Sequence, residues 1–217
     1  IIIQDLGLIS AIRRALPDIP LHASTQMSIH NLAGVQAAAE MGLTRAVLAR
    51  ELSLEEIKYI TQNSPIETEI FVHGALCFCH SGQCYMSALI GRRSGNRGMC
   101  AQPCRMQYSL GGRMDDYPMS LKDNCLVDRL RELEDAGVAC LKIEGRMKRP
   151  EYTAIVTKIY SKALKEQRQP SAEEMETLEK AFSRQGFTQG YFNGDKKDMF
   201  GRREEPDKDT EKLFTLA

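Results

Sequence analysis

Cysteine and arginine are concentrated in one stretch of this 217-residue chain, between residues 70 and 114. Five of the seven cysteines lie there: Cys77, Cys79, Cys84, Cys100 and Cys104. Five arginines lie there too, without a single Asp or Glu: Arg92, Arg93, Arg97, Arg105 and Arg113. Thiolates bind soft metal ions, and arginines bind phosphates and carboxylates. This stretch is therefore the first candidate for a functional site.

The number of cysteines favours metal or redox chemistry over a disulfide framework. Seven is an odd number and we expect no secretory segment, so paired structural disulfides are a poor interpretation. The alternative is that a free cysteine is a small buried apolar side chain. That alternative suits Cys125, on the apolar side of a predicted helix, better than Cys77 or Cys84, which lie near glycines.

The overall composition excludes several classes of protein. Its 42% hydrophobic residues argue against disorder, and no window approaches eighteen uninterrupted apolar residues, which excludes a membrane span. The 29 Lys and Arg balance 29 Asp and Glu, so net charge alone indicates no partner. These features predict a cytoplasmic protein with no membrane partner.

Short apolar runs alternate with helical patterns, which is typical of βα units on a parallel sheet. The predicted strands are residues 1–4, 21–24, 45–49, 69–73, 117–121 and 138–143. The predicted helices are residues 6–16, 31–41, 126–136, 151–166 and 171–182, with one more that begins after Ser53. Ser53 with Glu56, and Ser171 with Glu174, have capping-box spacing, which marks the beginning of two of these helices.

Polar residues follow the predicted strands at their carboxyl ends, where the active sites of βα barrels lie. They include Gln4, His22, His73, Lys122, Asp123, Lys142 and Glu144. A Rossmann-like sheet also fits, although no Gly-x-Gly-x-x-Gly follows a strand. We predict an α/β fold that is the C-terminal part of a TIM-barrel-like βα fold, with a Cys-rich insertion at about residues 74–116. The partial barrel is predicted for residues 1–168, and a helix with the start of a small region for residues 169–217.

Three segments carry a family resemblance: EIFVHGALC at residues 69–77, NRGMCAQPCR at 96–105 and LKIEGRMK at 141–148. They resemble the signature of peptidase family U32, the collagenase-like family, and the resemblance covers most of residues 1–192. It implies that the barrel begins before Ile1, so we expect N-terminal strands to be missing. The absence of an initiator Met agrees with that expectation.

The resemblance implies chemistry as well as a fold. Better-understood members of the family are similar to proteins of oxygen-independent hydroxylation, acting on tRNA uridine, rRNA cytidine and ubiquinone precursors. For this chain the resemblance favours 5-hydroxyuridine formation in tRNA, with prephenate as a candidate oxygen donor. Some members hold a 4Fe-4S cluster, and their ligand pattern falls on Cys77, Cys84, Cys100 and Cys140.

The chemistry of the cysteines agrees with this ligand set but leaves other ligands open. An iron–sulfur cluster takes four thiolates, which separate loops can supply. Zinc is the competing metal, and its structural sites prefer spacings of about two to four residues. Cys100 and Cys104 have such a spacing, so Cys104 is a reserve ligand. The absence of any metal is the third interpretation.

Four further residues are candidates for catalysis: Lys142, Glu144, Asp123 and His73. They could bind a dicarboxylate or transfer protons, although Lys142 and Glu144 could equally form a salt bridge inside a barrel. The candidates for substrate binding are five arginines: Arg92, Arg93, Arg97, Arg105 and Arg146. These could bind RNA phosphates, with Tyr85 and Tyr108 stacking on bases, or compensate a negatively charged cluster, or form a solvated loop.

Two other functions remain as alternatives. The family name suggests a peptidase, for which a Cys77 or Cys84 thiol could pair with His73 or His80. However, no His-Glu-x-x-His motif is present. Five cysteines close together in the sequence are better explained by an iron–sulfur cluster than by a single nucleophile. The third function is a non-catalytic, cluster-bearing protein, because some members of the family work in pairs with a related protein.

Overall fold

The first part of the chain alternates strands and helices, as its apolar runs predict. The computed structural model describes residues 1–146 and 148–201. The first four strands are β1 (Ile2–Ile3), β2 (His22–Ala23), β3 (Arg45–Val47) and β4 (Glu67–Ala75). The helices between them are α1 (Leu6–Ala15), α2 (Leu32–Glu40) and α3 (Leu54–Asn63). The predicted capping box of Ser53 and Glu56 is present at the beginning of α3.

The predicted insertion follows β4 and has little regular structure of its own. It contains helix α4 (Met86–Gly91) and a hairpin of β5 (Tyr108–Leu110) and β6 (Arg113–Asp116). Two single turns of 3-10 helix, Gly95–Arg97 and Pro103–Arg105, lie between them. The insertion therefore reaches from the end of β4 to the next strand of the main sheet.

The remaining elements return to the main sheet. They are β7 (Asp123–Cys125), α5 (Leu130–Asp135), β8 (Cys140–Ile143), α6 (Pro150–Glu166), α7 (Ala172–Ala181) and β9 (Phe187–Thr188). The predicted strand at 117–121 is wrong: the strand is β7, further along the chain, and Leu121 forms only an isolated bridge to Phe200. The second capping box, of Ser171 and Glu174, is confirmed at α7.

The main sheet has seven strands and is open. Strands β1 to β4 and β8 run parallel, whereas β7 lies antiparallel to the last residues of β4 and β9 lies parallel to β7. The parallel α/β prediction is confirmed, but the described residues do not form the closed sheet of a TIM barrel. Closure needs a constant stagger from strand to strand, and here β7 reverses direction and the β4–β8 register shifts between Phe71 and His73.

One hydrophobic core joins the sheet to the helices. Its most deeply buried side chains come from the whole length of the described chain and include Ile9, Leu21, Leu48, Leu133, Tyr152 and Leu178. Helix α7 and the residues after it contribute to this same core through Leu178, Ala181 and Phe192. The predicted division at residue 168 stays a prediction, and its part from residue 202 onward lies outside the described residues. Among the described helices, none has the length and apolar character needed to cross a bilayer.

Candidate functional site

A cavity of about 870 Å³ opens at the carboxyl ends of the parallel strands. Residues that come after five different strands line it: Gln4, Ser24, Arg50, Cys77 and Glu144. Parallel strands end at the same edge of a sheet, so side chains far apart in the sequence meet there. The cavity thus lies at the edge of the sheet for which the site is predicted. Arg50 was missed by the sequence reasoning, although a charged residue directly after a predicted strand is the same signal that selected Glu144.

Five cysteines line this one cavity: Cys77, Cys79, Cys84, Cys100 and Cys104. Their thiols interact electrostatically with one another, Cys77 with both Cys84 and Cys104, and Cys104 with Cys100. Cys79 interacts electrostatically with Cys84. Cys100 is exposed on the insertion, while the other four are half-buried. The fold of the insertion therefore brings the five sulfurs of the sequence cluster to a common site.

Cys140 lies elsewhere. It is the first residue of β8 and pairs with Glu69 of β4, whereas the cavity lies beyond the other end of these strands. Burial, and then the nearby Glu69 carboxylate, raise the pKa of the Cys140 thiol. The structure therefore brings together three of the four cysteines predicted as ligands and places the reserve residue Cys104, not Cys140, beside them.

The donor set suits a thiolate-bound metal centre, but the sulfurs are not yet arranged as ligands. Four half-buried or exposed thiols around one cavity are the ligand type that iron–sulfur clusters require. Among the described residues, however, no three His, Cys, Asp or Glu side chains are close enough to hold one metal ion. The sulfurs would therefore have to come closer together to complete a centre.

The pKa shifts of the cavity thiols fit metal binding better than nucleophilic catalysis. Burial raises the pKa of Cys77, Cys79 and Cys104, and neighbouring cysteine sulfurs add to the effect. These thiols are therefore protonated at neutral pH, and a bound metal would have to displace their protons. A nucleophilic cysteine would need the opposite shift.

Pairs of acidic and basic side chains form the floor of the cavity. Arg50 Nη2 donates to Glu144 Oε2 at 2.8 Å, and the Arg50 guanidinium lies 3.9 Å from the ring centroid of Phe71. Lys142 Nζ donates to Glu69 Oε1 at 2.8 Å. Burial alone raises the pKa of Glu69, but the hydrogen bond and charge of Lys142 outweigh burial and leave that pKa lowered. Lys142 and Glu144 therefore each form a salt bridge, Lys142 with Glu69 and Glu144 with Arg50, and not with each other.

Glu144 is positioned by the backbone around it. Its N–H donates to His73 O at 2.9 Å, and its Oε1 accepts from the N–H of Arg146 at 3.0 Å. Gly74, with φ +102°, allows this close approach, because a Cβ there would lie 2.7 Å from the Glu144 carbonyl oxygen. Arg146, two residues after Glu144, also lines the cavity. The carboxylate of Glu144 is thus fixed over the cavity floor.

His73 and Asp123, the other predicted catalytic residues, lie in the interior. His73 is 1% exposed, and its Nδ1 lies 3.2 Å from Tyr160 Oη. Asp123 is fully buried and accepts from Arg184 Nη1 at 2.5 Å. Neither residue lines the cavity, so the structure does not bring them together with Lys142 and Glu144. Of the four predicted catalytic residues, only Lys142 and Glu144 line the cavity and remain candidates for catalysis.

The burial of His73 predicts a pH-dependent loss of stability. Burial lowers the pKa of His73 to about 3, whereas the unfolded residue has its ordinary value of 6.5. Between these values the unfolded chain binds a proton that the folded chain excludes, so stability falls as the pH is lowered through this window. From pH 7 to pH 4.5 we expect a loss of roughly 2–3 kcal/mol, since each unit corresponds to about 1.4 kcal/mol.

Urea unfolding at several pH values measures this effect, with His73→Gln as the comparison. Glutamine keeps a hydrogen-bonding side chain but has no proton to bind, so its stability should change much less over the same interval. Equal slopes for the two proteins would contradict the assignment of His73 as a buried neutral group.

The predicted substrate-binding arginines separate into three groups. Arg92, Arg93 and Arg97 are exposed on the insertion, and Arg146 lines the cavity. Arg105 is half-buried and has a structural role: its Nη1 donates to Leu121 O at 2.6 Å, and its Nη2 donates to Leu76 O. Arg105 therefore attaches the insertion to the main sheet and is not available to a substrate.

Comparison with known proteins adds independent information. The model of Peptidase family U32 matches residues 1–200. A 23S rRNA 5-hydroxycytidine C2501 synthase of Escherichia coli (strain K12) is 42% identical over 170 residues, 76% of this chain and 26% of that protein. The tRNA hydroxylation protein P1 of Bacillus subtilis (strain 168) is 39% identical over 176 residues, 76% of this chain and 42% of that protein.

A third relative has a different name. The Collagenase of Porphyromonas gingivalis is 34% identical over 201 residues, 81% of this chain and 48% of that protein. The chain thus spans less than half the length of these three relatives. The family model's match, residues 1–200, includes all the residues that line the cavity.

Proposed function

This chain belongs to peptidase family U32, and from that premise we propose that the protein hydroxylates a pyrimidine base in RNA. The observation that carries the proposal is the cavity at the strand ends, which combines five cysteines, the Arg50–Glu144 pair and a basic insertion. Two relatives are named for RNA hydroxylation, one in rRNA and one in tRNA. We favour tRNA uridine as the substrate, with rRNA cytidine as the other outcome of the test.

We propose that Cys77, Cys84, Cys100 and Cys104 hold a 4Fe-4S cluster. When bound, such a cluster would supply one-electron redox chemistry. This proposal changes one ligand of the sequence prediction, from Cys140 to Cys104, because Cys104 lines the cavity and interacts with Cys77 and Cys100. Zinc remains the alternative metal, and metal analysis distinguishes the two.

The charged floor has two roles in this proposal. Arg50 binds the carboxylate of an oxygen donor: it lines the cavity, and Glu144 and Phe71 hold its guanidinium plane. Arg146 lies at the same cavity and provides a second cation for a dicarboxylate such as prephenate. Glu144 is the group placed to accept a proton from the base, because its carboxylate is fixed by a hydrogen bond and lines the cavity.

Nucleoside analysis of total RNA tests the proposal. A strain lacking the gene should lose one C5-hydroxylated pyrimidine, which mass spectrometry detects separately in tRNA and in rRNA. The full-length wild-type protein should restore the nucleoside, and Cys84→Ser should not. Unchanged nucleosides in both RNA pools would contradict the proposal, whereas peptide cleavage that survives both chelators and Cys84→Ser would favour the collagenase-like alternative.

The geometry gives that alternative little support. A thiol peptidase needs a base beside its nucleophile. Among the described lining residues of the cavity none is a histidine, and His73 is enclosed by Tyr152, Tyr160 and Phe187. The non-catalytic, cluster-bearing alternative predicts a chromophore without restored hydroxylation when the protein is supplied alone.

Salt dependence tests the role of the exposed arginines. Replacing Arg92, Arg93 and Arg97 by glutamine should reduce the slope of log affinity for single-stranded RNA against log salt by about 2, because each phosphate contact contributes about 0.7. Fluorescence anisotropy of the full-length protein measures the slope. The matched control replaces three exposed cations outside the insertion, Arg14, Lys58 and Arg131. An equal reduction in both triple variants would show that general charge, not this surface, binds the RNA.

A further inference from the structure

The outer face of helix α4 is apolar and unusually exposed. Leu89 is 83% exposed and Ile90 is 70% exposed, more than any other large hydrophobic side chain described. Tyr85, directly before the helix, is 63% exposed. Residues four positions apart lie on the same face of a helix, so Tyr85 and Leu89 are neighbours and Ile90 adjoins them. Such a continuous apolar surface is typical of an interaction site.

The surroundings of this face favour a polyanion as its partner. Arg92, Arg93 and Arg97 are exposed immediately after the helix, and residues 70–114 contain no Asp or Glu. A surface that combines cations with an aromatic and aliphatic face fits unpaired nucleotides, whose phosphates are anionic and whose bases are flat and apolar. A protein partner would need a strongly acidic rim around its own apolar patch.

The apolar face is continuous with the cavity. Tyr85 and Met86 line the cavity, whereas Leu89 and Ile90, about one helical turn further along, lie outside its lining. A base stacked on Tyr85 would therefore lie at the mouth of the cavity. Leu89 and Ile90 would contact the nucleotides that remain outside it.

We propose that α4 is a wedge that separates one pyrimidine from its neighbours in a single-stranded RNA loop. Tyr85 stacks on the pyrimidine that enters the cavity, and Leu89 and Ile90 occupy the place that it leaves in the stack. Arg92, Arg93 and Arg97 bind the flanking phosphates. This inference rests on the proposed function and specifies the form of RNA that the site accepts.

The chemistry of the base supports an unpaired substrate. The C5 edge of a pyrimidine faces the major groove, which in an RNA duplex is too deep and narrow for side chains to enter. Enzymes that modify a base therefore act on unpaired nucleotides or take the base out of the stack. Tyr108, the other tyrosine considered for stacking, is half-buried and its hydroxyl donates to Pro103 O at 2.9 Å, which leaves Tyr85 for this role.

Binding of a fluorescent RNA by the full-length protein tests the wedge without any hydroxylation step. The probe is an RNA hairpin with a uridine in its loop and 2-aminopurine beside it, and a fully paired duplex of the same length is the comparison. Tyr85→Leu should weaken hairpin binding roughly 5- to 100-fold, since stacking on one aromatic side chain has about that effect. Tyr85→Phe should bind like the wild type, because the stacking face is kept.

The wedge residues have a separate readout. The wild type should increase 2-aminopurine fluorescence by unstacking it, and the Leu89→Ser, Ile90→Ser double variant should lose most of that increase. The matched control is Tyr59→Leu, since Tyr59 is 62% exposed on α3 and lies outside the cavity lining. It should leave both the affinity and the fluorescence change intact.

Three results would overturn the wedge. They are equal affinity for hairpin and duplex, equal effects of Tyr85→Leu and Tyr59→Leu, and an unchanged fluorescence increase in the double variant. If the double variant instead alters the oligomeric state while RNA binding is unchanged, the apolar face is a protein interface and the proposal fails. Tyr85-dependent unstacking in a protein that forms no hydroxylated nucleoside would uphold the wedge and reject the proposed reaction.

Discussion

Replacing Cys104 by serine should abolish the broad visible absorbance of the anaerobically prepared full-length protein, together with at least 90% of its hydroxylation. The same replacement of Cys140 should retain both. The physical reason is position: Cys104 lines the cavity beside Cys77, Cys84 and Cys100, while Cys140 lies at the far end of β8 against Glu69. A cluster that loses one of four thiolates is lost or strongly altered, because serine is a poor ligand for it.

Iron and sulfide analysis with absorbance spectra measures this prediction, and urea unfolding shows whether each variant folds. Cys79→Ser is a second comparison, since Cys79 lines the same cavity but is a fifth sulfur for a four-sulfur centre. Full absorbance in Cys104→Ser, with loss in Cys140→Ser, would restore the ligand set that the family resemblance implies. Zinc in place of iron in the anaerobic protein would refute the cluster itself.

Replacing Asp123 by alanine should destabilise the protein by about 3–5 kcal/mol, because it leaves buried positive charge without compensation. Asp123 is fully buried and Arg184 is 5% exposed, with 2.5 Å between Asp123 Oδ1 and Arg184 Nη1. Arg105 also interacts electrostatically with both residues. Removal of the carboxylate therefore leaves two guanidinium groups in the interior.

Urea unfolding measures this loss, and the chain offers a matched control. Asp198 pairs with Lys122 at 2.7 Å but is 84% exposed, so Asp198→Ala should cost at most about 1 kcal/mol. A second variant, Asp123→Leu with Arg184→Met, should recover much of the stability, since a well-packed apolar pair can replace a buried ion pair. Normal stability without hydroxylation in Asp123→Ala would instead support the catalytic role that the sequence suggested.

The relatives carry two kinds of name, RNA hydroxylation and collagenase. A peptidase and an RNA hydroxylase of the same fold would differ in the site, because function follows the site and not the fold. Here the lining has five thiols and a charged floor, with the pKa of three of the thiols raised by burial. This arrangement suits metal ligation and anion binding better than attack on a peptide bond.

Local features of the fold were predictable because they depend on neighbouring residues. Both capping boxes were read from the spacing of Ser and Glu. The strand at 117–121 was wrong because Leu121 packs in a small separate cluster with Leu76 and Met199, which no local pattern reveals. Whether the sheet closes could not be predicted from local patterns either, because closure depends on the direction of β7 relative to β4.

The sequence by itself determined the chemistry that this protein has available: clustered thiols, a basic stretch at residues 70–114 without acids, and charged residues after parallel strands. Only the tertiary structure decided which of them meet. Side chains alternate between the two faces of a strand, and the two ends of a strand lie far apart. Residues that are equally good candidates in the sequence can therefore lie at different places in the fold. Cys104, Arg50 and Glu144 reach the cavity, whereas Cys140, His73 and Asp123 lie along the strands or in the core, because strand pairing and burial, not residue type, set their positions.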